Sequence, residues 1–383
     1  MISKKDMLNK LEAAKDILFR SIGEKGIFAG SGPRYRNQYW TRDAALVLIP
    51  ALRSLLNLFG LVNIDEVVRK HFYNLTRRQS GNGAIPILFS DFAELIENKM
   101  KKCKWDGKSL DLSDSFVLRR VFDGMYGDFN KFPEFLDFFD DNERGLYRLT
   151  PGTTDSELLF CYALLKEHGD CEAVRRALHY LETHYMHDGL HCGADWRDTM
   201  EVFFRDKPLL SNNALLYNVY KMRGDYKKAE ALKNKIDSVF WTGDTYLDYP
   251  GGDRFDPLGM SLALLHGLVP LSRYEAVLAG FRSVNTPCGV TIKCRHNAYL
   301  PGEAEVIEKT DGVVVWPFVV GFTILATAEI DEGFALEQFE KLHKLNGFAE
   351  YYDPSDGSRW GEYEQGWSAA MYVRAVEKLI DFF

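Results

Sequence analysis

Near its C-terminus the chain reads Gly347-Phe-Ala-Glu350-Tyr-Tyr-Asp353, then Asp356-Gly357 and Trp360-Gly-Glu362-Tyr-Glu364-Gln365-Gly-Trp367-Ser368. Carboxylates alternate here with aromatic rings and glycines. That mixture suits a saccharide, because rings stack on the apolar faces of pyranoses and acids move the protons that glycosidic cleavage requires. Glu350 is the expected general base, and Glu362 and Gln365 stand where they would hold it or the substrate. The plainer reading is an acidic, solvated loop, but large apolar rings seldom crowd such loops.

Two other segments carry chemistry. In Tyr39-Trp40-Thr41-Arg42-Asp43, Arg42 offers a rigid donor fork and Asp43 an acceptor. Together they match two neighbouring hydroxyls of one sugar ring, with Trp40 as an apolar wall. The competing reading is a helix start, with Thr41 as cap and Asp43 against the dipole. In Cys192-Gly193-Ala194-Asp195-Trp196-Arg197-Asp198 two acids flank Trp-Arg. A carboxyl beside an indole is partly desolvated, which raises its pKa and suits a general acid. The alternative is an Asp–Arg pair at a turn.

Weaker signals follow. Thr154-Asp155-Ser156-Glu157 reads as a capping box, with Asp155 also placed for a sugar contact. Asp311-Gly312 and Trp316-Pro317 open an apolar run and are expected to line a cleft; Asp253-Arg254-Phe255-Asp256 is similar but vaguer. There is no HExxH, no GxSxG and no phosphate-loop or dinucleotide fingerprint, so no metal and no cofactor is expected.

Positioning such loops needs a scaffold. Helical periodicity recurs near 4–22, 41–59, 62–80, 112–126, 155–167, 170–184, 212–223, 226–239, 257–267, 270–283, 312–329, 332–345 and 367–382, and strand signals are scarce. The helices come in pairs joined by turns such as His168-Gly169-Asp170 and Arg223-Gly224-Asp225. The first member tends to be apolar all round, as in Leu158 to Leu165. The second is amphipathic and charged, as in Tyr226 to Ile236. An inner ring inside an outer ring explains the alternation. It predicts an all-α (α/α)6 toroid with little β structure, formed by residues 1–383 as one domain. The long loops would gather at one end and form the cleft.

Bulk properties narrow the function. The chain has 383 residues, 46% of them hydrophobic and 14% aromatic, with a net charge of −8. The negative balance argues against a nucleic-acid surface. The apolar run 312–328 is nearly long enough to span a bilayer. Pro317 and Gly321 interrupt it, however, and a helix apolar all round also fits a protein interior. No membrane partner is expected. The six Cys form no CxxC pair, and Met1-Ile2-Ser3-Lys4-Lys5 lacks the apolar core of a secretory signal. Both features point to reduced thiols in the cytoplasm.

In this order, the segments resemble the glucoamylase family and its (α/α)6 relatives: glycogen-debranching glucosidase domains, trehalases and processing α-glucosidases. Trp40-Thr41-Arg42-Asp43 resembles the motif whose Arg and Asp bind the terminal glucose in that family. Trp196-Arg197-Asp198 resembles the loop that carries the acid. Asn213-Ala-Leu-Leu-Tyr-Asn218 and Trp316-Pro317 are similar to motifs of debranching-type domains. Ala349-Glu350-Tyr-Tyr-Asp353 with Gly366-Trp367-Ser368 resembles the base-bearing segment.

The resemblance implies an inverting, exo-acting hydrolase of an α-glucosidic oligosaccharide or small glucoside. Asp198 would be the acid and Glu350 the base. Arg42, Asp43, Asp155, Arg197, Asp311, Glu362 and Gln365, with walls Trp40, Trp196, Trp316 and Trp367, would bind the sugar. Asp195 competes for the acid's role, because trehalase-type loops place the acid directly after Gly-Trp. The β-sandwich that many relatives carry before the barrel has no counterpart here, which favours a short substrate. Two alternatives stay open. One is a sugar epimerase or isomerase on the same barrel, which would need His296 and His343 in the cleft. The other is a non-catalytic carbohydrate-binding relative. Sequence is silent on oligomeric state.

Overall fold

The computed structural model describes residues 2–32, 35–36, 38–60, 64–90, 145–146, 155–197, 201–294 and 302–382. Its inner ring is built from helices that bury nearly their whole circumference. These are the segment 41–59, then Asp155–His168, Leu210–Arg223, Pro257–Leu265, Pro317–Thr327 and Gly366–Leu379. Each packs on the next, and Gly366–Leu379 packs back on 41–59, closing the ring. All eleven residues of Pro317–Thr327 are buried.

The outer ring comprises Lys4–Arg20, Ile64–Thr76, Glu172–His184, Tyr226–Phe240, Tyr274–Ser283 and Glu332–Lys344. An outer helix buries only one stripe. In Glu172–His184 it is Val174, Ala177, Leu178 and Leu181, the i, i+3, i+4, i+7 spacing of an amphipathic helix. Five inner helices pair with the outer helix that follows them. The sixth, Gly366–Leu379, pairs with Lys4–Arg20, so the two ends of the chain complete the last hairpin.

Tight turns reverse the chain between partners. Gly169 and Gly224 take φ of 78° and 79°, the left-handed region where a side chain is strained. Because an outer helix running back separates each inner helix from the next along the chain, all inner helices start at the same end of the toroid. The loops between hairpins therefore collect at that end, as expected. They carry the small antiparallel strand pairs, among them Met186–His187 with Leu190–His191 and Tyr351–Tyr352 with Arg359–Trp360.

Several elements differ from expectation. The helix predicted over 312–329 begins only at Pro317. A residue before proline is held extended, and proline itself suits the first helical turn. Val313–Val314 accordingly pairs with Ile292–Lys293, and the Val315 N–H donates to the Tyr352 carbonyl at 3.0 Å. Among the described residues no helix is long and apolar enough to cross a membrane. Short helices Glu201–Phe204 and Glu303–Thr310 were not anticipated. The helix expected at 112–126 lies outside the described residues. Among the described residues Cys161, Cys171, Cys192 and Cys288 are thiols outside any disulfide.

Candidate active site

The rim at the inner helices' N-termini assembles the chemistry-bearing segments. Glu350 stands in the loop before Gly366–Leu379 and is 1% exposed. The Tyr35 hydroxyl donates to its Oε1 at 2.7 Å, and the Glu362 N–H donates to its Oε2 at 3.0 Å. Gly361 lies against this carboxyl so closely that a Cβ there would come within 2.5 Å of Oε2. The loop itself is pinned. The Glu350 N–H donates to the Glu362 carbonyl, and the Ser368 hydroxyl holds the Ala349 carbonyl at 2.7 Å.

The first helix grips both stems of this loop. Lys10 Nζ donates to the carbonyls of Leu342, His343 and Leu345 at 2.6–3.2 Å, ending the helix that leads in. Burial lowers the Lys10 pKa to about 8. Arg20 clasps Glu364 with two nitrogens, at 2.6 and 3.1 Å, where the loop leads out. Glu364 is thereby structural. Its pKa is lowered by the Arg20 hydrogen bond.

The segment 39–43 enters its helix as expected, with Arg42 and Asp43 buried. Thr41 is not a cap: its hydroxyl donates to the Pro86 carbonyl at 2.6 Å. The Arg42 fork is engaged differently from the expected sugar clamp. It grips Asp155 through Nε (2.6 Å) and Nη2 (3.2 Å), while Nη1 donates to the Trp196 carbonyl at 3.1 Å. Asp155, read from the sequence as a capping-box member, is thus the acceptor that orients Arg42. Glu157 accepts the Ile85 N–H at 3.0 Å; Thr154 is outside the described residues.

The segment 192–198 corrects a second expectation. Arg197, 2% exposed, spends both edges of its guanidinium on carboxylates. It donates to Asp195 from Nε and Nη2, both at 2.9 Å, and to Asp248 from Nη1 and Nη2 at 2.7 and 2.9 Å. A fork filled in this way has no edge left for a sugar, contrary to the sugar-binding role expected for it. The Ser211 hydroxyl donates to Asp195 as well, at 2.7 Å. Burial opposes the Asp195 charge, but Arg197 and Ser211 outweigh it and hold the carboxyl below the ordinary range. Asp256, buried beside this cluster, is pushed up to about 7 by burial and then by Asp248. Asp198 lies outside the described residues.

Aromatic rings tie the segments together. Trp196 meets Trp316 edge-on at 5.0 Å and Phe318 at 4.8 Å. Trp367 lies 5.4 Å from Trp316 and stacks on Phe318 at 4.7 Å. Trp316 contacts Tyr351, next to Glu350, at 5.4 Å, and Tyr35 meets Trp40 at 6.4 Å. A continuous path therefore runs from Trp40 through Tyr35, Glu350, Trp316 and Trp196 to Arg42. Along the rim the indole nitrogens of Trp196 and Trp367 and Gln365 Oε1 are buried without a hydrogen-bond partner among the described residues.

Glu362, 8% exposed, accepts the Tyr363 N–H at 2.7 Å. Asp311 stands apart from this group: it is exposed and ion-paired with Lys293. Asn213 ties down the chain before the Asp195 loop through the His191 carbonyl, and also donates to the Leu209 carbonyl at the start of its own helix. Tyr35, Asp248, Lys10 and Arg20 went unread in the sequence. Only tertiary contact distinguishes them from ordinary surface residues.

No protein-family model matches the sequence, and no curated protein matches it. Solved structures do. A wild-type glycosidase superposes with a TM-score of 0.61 at 13% identity, covering 99% of each chain. The fold is that of the six-hairpin glycosidases. A variant glycosidase in complex with glucose gives a TM-score of 0.60 at 12% identity, again over 99% of each chain. A GH63 mannosylglycerate hydrolase from Thermus thermophilus in complex with glucose gives 0.57 at 13% identity, covering 94% of this chain and 98% of the other. At such identities the six-hairpin likeness speaks for the architecture, and the chemistry rests on the side chains above.

Proposed function

We propose that this chain is a glycoside hydrolase that removes a terminal α-linked glucosyl unit from a short oligosaccharide or small glucoside with inversion. The observation that carries this reading is Glu350. It is a buried carboxylate held by Tyr35 and the Glu362 N–H, on the rim where Trp196, Trp316 and Trp367 meet. Oriented that way, it serves as general base. It takes a proton from water as the water oxygen attacks the anomeric carbon.

Asp198 is the acid in this proposal. It gives its proton to the glycosidic oxygen as the carbon–oxygen bond breaks. Asp195 suits that task poorly, because its bonds to Arg197 and Ser211 favour the ionised form. Asp198 follows Arg197 directly, and Arg197 is anchored from both edges. An inverting pair stands roughly 6.5–9.5 Å apart, leaving room for the water.

Asp43 grips the terminal sugar, next to an Arg42 that is itself held by Asp155 and the Trp196 carbonyl. Trp40, Trp196, Trp316 and Trp367 form its walls. The unpartnered indole N–H groups of Trp196 and Trp367 and the Gln365 oxygen offer two donors and an acceptor to sugar hydroxyls. Two structural neighbours are complexes with glucose, which fits this substrate class. Of the two histidines that proton transfer at carbon would need in the cleft, His343 sits on an outer helix, bonded to the Tyr372 hydroxyl, and His296 lies outside the described residues. The thiols Cys161, Cys171, Cys192 and Cys288 support a cytoplasmic setting.

The test is a screen of maltose, isomalto-oligosaccharides, trehalose, sucrose and glucosylglycerate, with NMR of the released anomer. Asp198→Asn and Glu350→Gln are each expected to lower kcat by about 10²–10⁴-fold while leaving the fold intact by circular dichroism. Hydrolysis that survives both changes, or release with retained configuration, rejects the assignment.

A further inference from the structure

The outer helix Glu332–Lys344 leads into the loop that carries Glu350, and it stops without a glycine. Many helices end on a left-handed glycine, which turns the following N–H groups back onto the last carbonyls. Here the capping residue is Leu345, extended at φ −58° and ψ 136°, and its own N–H returns to the Lys341 carbonyl at 3.2 Å. The carbonyls of Leu342, His343 and Leu345 take a donor from far along the chain. Lys10 Nζ, on the first helix, reaches them at 3.2, 2.7 and 2.6 Å. An ammonium has three hydrogens, so all of them are spent on this one exit.

The helix dipole does not account for this lysine. The last turn already holds Lys341 and Lys344, which put cationic charge where the dipole favours it. Lys10 adds fixed geometry instead. Its ammonium lies 5.4 Å from the centroids of both the Phe348 and the Tyr372 rings, and those rings are 5.8 Å from each other. Both rings are buried. Tyr372 belongs to the inner helix Gly366–Leu379, and its hydroxyl lies 2.7 Å from His343 Nδ1. Lys10 thus ties the exit of an outer helix to the inner helix that starts at the rim.

From that exit a short path leads to the base. Leu345 stands five residues before Glu350. The Tyr352 hydroxyl joins the two ends of the stretch between them. It donates to the carbonyl of Asn346, the residue after Leu345, at 3.0 Å, and accepts the N–H of Ala349, the residue before Glu350, at 2.8 Å. Phe348, under the Lys10 ammonium, is fastened by its carbonyl to the Gln365 N–H at 2.9 Å. A shift of Leu345 is therefore passed to Ala349 through one hydroxyl, and a shift of the Phe348 ring is passed on directly.

We infer that Lys10 is a positioning residue for the general base: by holding the exit of Glu332–Lys344, it sets where Glu350 presents its carboxylate. The inference rests on the reading of Glu350 as the base. Lys10 does not touch the reacting groups. It acts through Leu345, Phe348 and the Tyr352 hydroxyl. Without the ammonium three carbonyls lose their donor, and the chain leaving the helix turns to find others. A displacement of about 1 Å at a catalytic group costs on the order of 10²-fold in rate, so a small shift is read in turnover.

The experiment is a double-mutant cycle on the full chain, read by steady-state kinetics well below the unfolding midpoint. The substrate is whichever of maltose, isomalto-oligosaccharides, trehalose, sucrose and glucosylglycerate the wild type cleaves fastest. Lys10→Met keeps an apolar stem over the two rings and removes the donors. It should lower kcat by at least about tenfold with KM within about twofold of the wild type. Lys10→Arg, which keeps donors and charge, should recover most of that loss. In the Glu350→Gln background, where no base remains to be placed, Lys10→Met should lower kcat no further. Should Lys10→Met fail to fold, Lys10→Gln takes its place with the same split expected. Wild-type kcat in the folded Lys10 variant, with only the melting temperature lowered, overturns the inference and leaves Lys10 a stabilising cap. An equal loss of kcat with and without Glu350 overturns it as well. Undiminished turnover in Glu350→Gln alone is a different failure: it removes the base assignment, and this inference falls with it.

Discussion

Asp256 offers the sharpest test of the buried charge cluster under the rim. Its Oδ1 caps the helix Pro257–Leu265 by accepting the Leu258 N–H at 2.9 Å. Burial, then Asp248, raises its pKa from the ordinary 3.8 to about 7. A carboxyl whose pKa is raised on folding binds more protons folded than unfolded. Its contribution to stability is therefore complete below the unfolded value and is lost as pH climbs through the folded one. Each pH unit is worth about 1.4 kcal/mol. Between about pH 5.5 and about pH 8.5 the folded protein should lose about 2 kcal/mol through this group alone.

Asp256→Asn keeps the cap, since asparagine caps as well as aspartate, and it removes the titration. Urea unfolding of both proteins at the two pH values forms a cycle in which other ionisations cancel. The variant should gain about 2 kcal/mol on the wild type in going from the lower to the higher pH. A cycle value under about 0.5 kcal/mol refutes the reasoning and would mean that Asp256 is ionised in the folded protein throughout.

Other outcomes follow from the same contacts. Tyr35→Phe removes the hydroxyl that orients Glu350, and a hydrogen bond to a charged group is worth about 1.5–3 kcal/mol. On the proposed mechanism kcat should fall about 10–100-fold with KM little changed, as steady-state kinetics would report. Arg42→Lys replaces a two-pronged grip on buried Asp155 with a point charge. It should cost about 3–5 kcal/mol in urea unfolding, and a near-neutral result would count against the pair as a structural element.

Much of the scaffold was legible because helix burial is periodic. An apolar run such as Leu158 to Leu165 needs neighbours on every side, while the stripe of Tyr226 to Ile236 needs one, and two rings satisfy both. Boundaries shifted where local chemistry intervened, as when Pro317 delayed its helix and released Val313–Val314 to a strand. The site was legible as residue types. The engagement of those residues was not. Arg42 finds Asp155 after 113 positions, and Arg197 finds Asp248 after 51. Nothing local to either arginine announces a distant carboxylate, so both forks looked available to a sugar.

Taken by itself, the sequence determined the helical hairpins, their inner and outer assignment, and the loops that carry acids and rings. Those properties follow from spacing and hydrophobicity along the chain. Tertiary structure alone decided which charged groups neutralise each other and which remain for chemistry. It bound Asp195 and Arg197 into a buried cluster and gave Glu350 its Tyr35 and Glu362 partners. Electrostatic pairing depends on distance in space, and closing a ring of hairpins brings together groups that the chain keeps far apart.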